Sequence, residues 1–326
     1  MCGNNVIDMT NTYQACKNIV GDAACGDNVV HLINSYANCF NLNGSPACGT
    51  NTIYMTHAYY NCGNLTGSPV CGDKVTNMLN TYRQCHNLTG SPVCGNNVIN
   101  MCNTYSSCTN LTGYPVCGSN VTNMYQTYLG CTNLTGSPIC GNKVVTMFQT
   151  YYNCVKLTGS PVCGDNVKNM RGVYFNCRNL TGSPVCGEKV TNMAFAYSAC
   201  TNITGTPVFG QNVTNIAGAY SGCTNLTGSP VCGNNVINMC NTYYGCVNLD
   251  GDIYILSNKV SNAVNCFYGK NNSRIYNIHC YANSTTFNTL LINNVKSIVG
   301  AAITWTNDGT YYYNTAYNIY IYPDLT

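Results

Sequence analysis

A tyrosine returns at every twenty-third position along most of this chain, and that spacing constrains the fold more than any other feature. The series is Tyr13, Tyr36, Tyr59, Tyr82, Tyr105, Tyr128, Tyr151, Tyr174, Tyr197, Tyr220 and Tyr243, eleven repeats without an insertion or deletion. Three residues after each tyrosine stands a cysteine, from Cys16 to Cys246, and three further on a Leu or Ile such as Leu65, Leu88 or Ile203. Two residues later comes glycine, from Gly21 to Gly251. A repeat this short cannot bury an apolar face alone, so a strict period predicts a solenoid in which each coil packs on its neighbours.

One coil can be drawn from its residues. The segment "GSPV" should be extended, because the residue before proline avoids the helical region. Its valine (Val116, Val185) is expected to point inward, and the proline confines any paired strand to a short one. "CG" then turns the chain. Val, Met and Tyr follow at offsets 0, +3 and +7, as in Val121, Met124 and Tyr128. That spacing predicts one to two turns of α or 3₁₀ helix with one face inward. The pairs after Met and before Cys vary most and should face solvent on this helical side.

The period fails after Leu249. Residues 1–249 are therefore expected to form the eleven-repeat solenoid. Residues 250–272 read as a degenerate capping coil, in which Val260 and Asn262 echo the repeat and Cys266 falls where the next Tyr would. Residues 273–326 read as a small α+β module. There "RIYNIHCYA" and "YNIYIYP" alternate as strands do. "STTFNTLLINN" suggests a short helix with Ser284 or Thr285 as N-cap, and "NDG" a hairpin turn. This module holds the single tryptophan, Trp305, and a dense run of tyrosines. The N-terminus enters the repeat at Cys2 with no cap ahead of it, which suggests a fragment or an end that docks on another subunit.

The wording "VTNM" at Val121–Met124, "TY" at Thr127–Tyr128 and "CTNLT" at Cys131–Thr135 resembles the BspA-like leucine-rich repeats, whose repeat has the same length. The resemblance covers roughly residues 2–250. It departs in two places: the family's core Phe is Tyr here, and its strand carries two β-branched residues where this chain has Ser and Val. It implies leucine-rich-repeat-like coils, an α/β repeat solenoid of short strand plus short helix. It also implies surface proteins and adhesins of bacteria or bacteriophages that bind proteins or glycans, with no catalytic activity.

The candidate sites within the repeat are better explained as architecture. The 25 cysteines contain no C-x-x-C pair, so the common zinc signatures are missing. They form one ladder from Cys16 and a second from Cys2, interrupted by Phe209. A slot that accepts Phe suits a buried, packing thiol, with disulfides between adjacent rungs as the alternative. "NLT" fits the glycosylation sequon, but the start "MCGNNVIDMTNTYQAC" shows no signal peptide. An asparagine ladder that bonds the turn backbone is preferred. The tyrosine hydroxyls would find partners in neighbouring Asn and Thr. His31, His57, His86 and His279 occupy unrelated repeat positions, and the ten acidic residues are scattered. No nucleophile–base set, paired carboxylates or phosphate loop emerges, and no cofactor or metal is expected.

Charged residues make up only 7% and the net charge is +3, which argues against nucleic acid as a partner. No apolar run approaches the length of a membrane span. The expected function is non-enzymatic adhesion or receptor binding, directed at a protein or glycan on a cell surface. The expected setting is extracellular, on a bacterial cell or a phage virion. A structural spacer or assembly module of a larger fibre is the alternative. Trp305, Tyr311, Tyr313, Tyr317 and Tyr320 are the residues expected to make contact, since Trp and Tyr favour interfaces.

Overall fold

The computed structural model describes residues 3, 5–271, 273–291 and 298–326. Cys2, where the second cysteine ladder begins, and residues 292–294 of the "STTFNTLLINN" stretch lie outside these. The chain forms two compact units, Met1–Asn166 and Val167–Thr326.

In the first unit, single-residue parallel bridges join equivalent positions of successive repeats: His31 to Tyr54, Tyr54 to Asn77, Asn77 to Asn100, Asn100 to Asn123. The second unit continues this from Asn169 to Asn192, Asn215 and Asn238, after which Asn238 bridges Asn262, one position beyond the regular interval. The bridges fall one residue before the buried apolar residue of each repeat, such as Leu32, Met101 or Ile216. In "GSPV" the expected short strand forms at Val231–Cys232, which pairs with Tyr254 and Ile255, but the bridges of the other repeats do not fall in this segment. There the proline is buried (Pro92, Pro115, Pro184) and the following valine is only half-buried, so Val116 and Val185 do not fill the core.

The expected helix is also absent. Among the described residues the only α-helix is Thr285–Leu290. From Met101 to Cys108 the backbone N–H groups alternate instead. Those of Met101, Asn103, Tyr105 and Ser107 donate forward into the next repeat, to the carbonyls of Asn123, Tyr125, Thr127 and Leu129, at 2.7–3.0 Å. Those of Thr104, Ser106 and Cys108 close local turns onto the third residue back, at 3.0–3.2 Å. Two left-handed residues per turn make this possible, such as Asn103 (φ 53°) and Ser107 (φ 64°). A helix needs an unbroken right-handed run, and Asn, Gly and Thr give it little support. Offsets of 0, +3 and +7 fit both backbones, so the spacing of the apolar residues did not choose between them.

The second left-handed position is glycine in three repeats, Gly130, Gly222 and Gly245, and alanine at Ala199 (φ 61°). That conformation costs an L-residue about 1–2 kcal/mol, against about 0.5–1 kcal/mol for the extra freedom of glycine in the unfolded chain. Ala199→Gly is therefore expected to raise stability by about 0.5–1 kcal/mol. A lowered urea midpoint would show that the left-handed turn is not there.

The core of each turn is the same handful of residues. Val98, Met101, Tyr105, Cys108 and Leu111 are all fully buried, each contributing roughly 1.5–3 kcal/mol of burial. In the first unit the tyrosine rings stack from Tyr13 to Tyr151 with centroids 5.1–5.6 Å apart. Their hydroxyls do not use Asn or Thr as expected. Tyr105 Oη donates to the Val93 carbonyl at 2.7 Å and accepts from the Val93 N–H at 3.0 Å. One phenol thus replaces the strand partner that "PV" lacks. Buried threonines tie successive turns in the same way, Thr104 donating to the Met78 carbonyl at 2.9 Å.

In the second unit, Val167–Thr326, the irregular turns give way to one mixed sheet. Its strands are β1 (Val231–Cys232), β2 (Ile253–Ile255), β3 (Tyr276–Tyr281), β4 (Thr306–Asn307), β5 (Tyr312–Asn314) and β6 (Ile319–Leu325). The order is β1-β2-β3-β6-β5-β4, parallel from β1 to β6 and antiparallel from β6 to β4. Ser284 caps the one helix, α1 (Thr285–Leu290), by accepting from Phe287 N, and the "NDG" stretch joins β4 to β5. Phe267, rather than the expected Cys266, takes the ring position after Tyr243, at 5.8 Å. The single inserted residue between Asn238 and Asn262 explains the offset of one.

Candidate functional site

The alternation of β2, β3 and β6 decides what each sheet face presents. Ile253, Ile255, Ile278, Cys280, Ile319 and Ile321 are buried on one side. The parallel register pairs Tyr254 with His279 and His279 with Tyr322 on the other. The three rings stack in a row, Tyr254 to His279 at 4.6 Å and His279 to Tyr322 at 5.0 Å, with their planes within 16°. On the neighbouring strand Tyr313 stacks on Tyr320 at 5.9 Å. Tyr311 leans against Tyr313, Tyr320 and Tyr322 at 5.1–5.7 Å, tilted by 43–59° to each. All six of these residues are half-buried.

Carboxylates flank this row at the start of β2 and at the register shift near the end of β6. Asp252 stands two residues before Tyr254, and Asp324 two after Tyr322. His279 Nδ1 lies 2.9 Å from Asp324 Oδ2, and Nε2 lies 3.7 Å from Asp252 Oδ2. Asn277 donates to the other oxygen of Asp252 at 2.8 Å. The third carboxylate, Asp308, is held in the β4–β5 turn by the N–H groups of Thr310 (2.9 Å) and Tyr311 (3.1 Å). Those N–H groups keep its carboxyl below the usual carboxylate range. Burial raises the Tyr322 phenol above its ordinary value, helped by Tyr320 and by the charges of Asp252, Asp308 and Asp324. The Tyr311 phenol is raised as well, chiefly by its hydrogen bond to Asp308.

His279 with Asp324 has the form of a base and its orienting acid. Its one hydrogen bond among the described residues is to Asp324, so no hydroxyl or thiol is poised on it. Cys280 follows on the buried face, and burial pushes its thiol up to about 12. Among the described residues no group of three or more His, Cys, Asp or Glu is placed to hold a metal ion. No described helix is long and apolar enough to cross a membrane.

Of the contact residues expected from the sequence, the sheet brings Tyr311, Tyr313 and Tyr320 together. It leaves out Trp305, which is half-buried beside β4 with its indole N–H buried and without a partner. Tyr317 sits in the β5–β6 turn and lines a separate small pocket with Phe267, Tyr268 and Lys270. Lys270 is itself buried, lies 4.9 Å from the centre of the Tyr276 ring, and has its pKa lowered to about 8 by desolvation. Tyr254, His279, Asp252 and Asp324 were missed. Their signal was parity: His279 and Tyr322 occupy the outward positions of the two strands read from the sequence, and only the pairing of those strands joins them.

The repeated residues hold the turns together. Cys108 Sγ donates to the Tyr82 carbonyl at 2.9 Å, and its ladder is buried from Cys39 to Cys154 in the first unit. The second ladder is half-buried in the first unit, with Gly95 N–H donating to Cys71 Sγ at 3.3 Å, and fully buried at Cys232. The Asn ladder lies on the surface and bonds the neighbouring turn: Asn133 donates to the Thr109 carbonyl at 2.9 Å. The first unit also carries an open trough of β-branched side chains, among them Ile53, Thr76 and Ile99, rimmed by Asn51, Lys74 and Asn97. Comparison with protein-family models, with curated proteins and with solved structures yields no match.

Proposed function

We propose that this chain is a non-enzymatic, surface-exposed adhesion or receptor-binding protein. In this reading the stacked turns are a leucine-rich-repeat-like solenoid of the BspA-like kind that presents or spaces. The terminal sheet makes the contact, on a bacterial cell surface or a phage virion. The observation that carries it is the aromatic and acidic face around Tyr311, Tyr320 and Tyr322, which differs from the near-uniform turns. Aromatic side chains combine large contact area with few rotatable bonds and recur as the anchors of interfaces.

The chain, tested against arrays of cells, proteins and glycans, should give a ligand whose binding drops at least about tenfold in Tyr311→Ala/Tyr320→Ala, the loss of two aromatic anchors. An array ligand bound equally well by that variant would remove the sheet from the account. A structural spacer within a larger fibre is the second reading, favoured by the regular trough of the first unit, whose Ile/Thr and Asn/Lys positions recur once per repeat. A uniform strip suits a repeating neighbour engaged by many weak contacts.

A further inference from the structure

We propose that the face formed by Tyr311, Tyr320, Tyr322, Asp252, Asp308 and Asp324 binds arginine or lysine side chains of a protein partner. This rests on the contact role proposed above and names the chemistry of the ligand.

Charge comes first. Asp252, Asp308 and Asp324 all act on the Tyr322 phenol, and among the described residues Arg274 and Lys270 are already engaged. His279 is held between Asp324 and Asp252 at 2.9 and 3.7 Å. Arg274 pairs with Asp250 at 3.3 Å. Lys270 donates to the Arg274 carbonyl at 3.2 Å and lies over Tyr276, whose side chain is on the buried face. Asp308 therefore meets no cation among these groups, and its two backbone N–H donors favour the ionised form. Phosphate, sulfate and acidic sugars would be repelled here, while a guanidinium or ammonium finds complementary charge.

Ring geometry then separates a cationic side chain from a neutral sugar. Tyr254, His279 and Tyr322 stack face to face, so neighbouring rings in the row cover one another. A pyranose needs a broad open platform, which this row does not offer. Tyr311 is the exception, since no ring lies parallel to it. A guanidinium stacked on Tyr311 would sit beside the Asp308 carboxylate, combining a cation–π contact with an ion pair. Arginine suits both demands better than lysine, because its planar fork stacks and pairs at once.

The test uses the full chain and three probes: a fluorescein-labelled Gly-Arg hexapeptide repeat, its Gly-Lys counterpart, and an uncharged β-linked glucose oligosaccharide. Fluorescence anisotropy should show the arginine peptide binding more tightly than the lysine peptide. Affinity should fall about tenfold between low and high salt as the charges are screened. Asp324→Asn and Asp308→Asn should each weaken it about threefold or more, and Tyr311→Leu by a similar factor. Because Asp308 also fastens its turn, circular dichroism and the single Asp324→Asn variant keep a charge effect distinct from a folding one. Peptide binding that ignores all three substitutions overturns the inference. So does binding of the oligosaccharide in place of the peptides, although loss of that binding in Tyr311→Leu leaves the contact role standing. Binding of no probe, beside an array ligand still sensitive to Tyr311→Ala/Tyr320→Ala, likewise overturns the cationic ligand alone.

Discussion

Replacing Tyr105 with alanine is expected to remove about 3–5 kcal/mol of stability from the cavity alone. Tyr105 is fully buried and stacked 5.6 Å from both Tyr82 and Tyr128. The alanine would open a void between two rings and strand the Val93 N–H and carbonyl that the phenol satisfies. Tyr105→Phe keeps the stack and loses only the hydroxyl. It should still cost about 1 kcal/mol, because two part-buried main-chain groups lose their partner. Urea unfolding followed by circular dichroism measures both. Amide hydrogen exchange should show the loss concentrated around residues 82–128, since coils of a stacked array depend on their neighbours. If Tyr105→Phe matches the parent chain, the phenol does not replace a strand partner, and the account of the "PV" segment is wrong.

The second large effect is alkaline unfolding. Burial pushes the thiols of Cys131, Cys200 and Cys246 from 9.0 up to about 12. It raises the Cys108 thiol and the Tyr105 phenol too, each well above its ordinary value. A raised folded-state value means that the unfolded chain releases these protons first. The stability they contribute is fully present below about pH 9, and it is lost as pH climbs through the interval from 9 to about 12. Each rise from 9.0 to about 12 corresponds to about 4 kcal/mol per thiol at its limit. At about pH 11 each such thiol has lost roughly two-thirds of that, and several together exceed the roughly 5–15 kcal/mol that holds a typical fold. The chain should therefore lose its far-ultraviolet signal cooperatively between about pH 10 and 11, releasing many protons in one transition. Thiols that titrate one by one near pH 9 in a chain that stays folded would show that the ladders are not buried.

The parts legible in the sequence were those set by period and parity. The Tyr, Cys and Leu positions of the core follow from the repeat, and the outward row of β3 and β6 follows from alternation. Ser284 at the helix start and the turn after Asn307 were readable from local chemistry, because an N-cap and a hairpin each involve residues a few positions apart.

Other features depended on contacts no local pattern carries. Tyr105 bonds Val93 in the preceding "PV" segment, and Met101 N–H bonds the Asn123 carbonyl in the following repeat. The left-handed backbone at Asn103 was concealed by apolar offsets that a helix would share, although Asn and Gly at that place were a usable sign. The site itself needed strand order. Nothing within "DIYI", "YNIHCY" or "IYIYPD" says that Tyr254, His279 and Tyr322 become neighbours. Only the order β2-β3-β6 does.

Twelve cysteines of the repeats and their cap are fully buried, as packing thiols are, among them Cys85, Cys108 and Cys266. Counting thiols tests this packing role most directly. The chain, purified without reductant, is unfolded in guanidinium with iodoacetamide present, and its intact mass is measured. Buried packing thiols predict a mass gain of 25 adducts, one for each cysteine in the sequence. The same reagent on the folded chain should leave the fully buried ladder, such as Cys85 and Cys108, unmodified. A single adduct on the unfolded chain would instead mean that adjacent rungs are joined by disulfides, and would contradict the account.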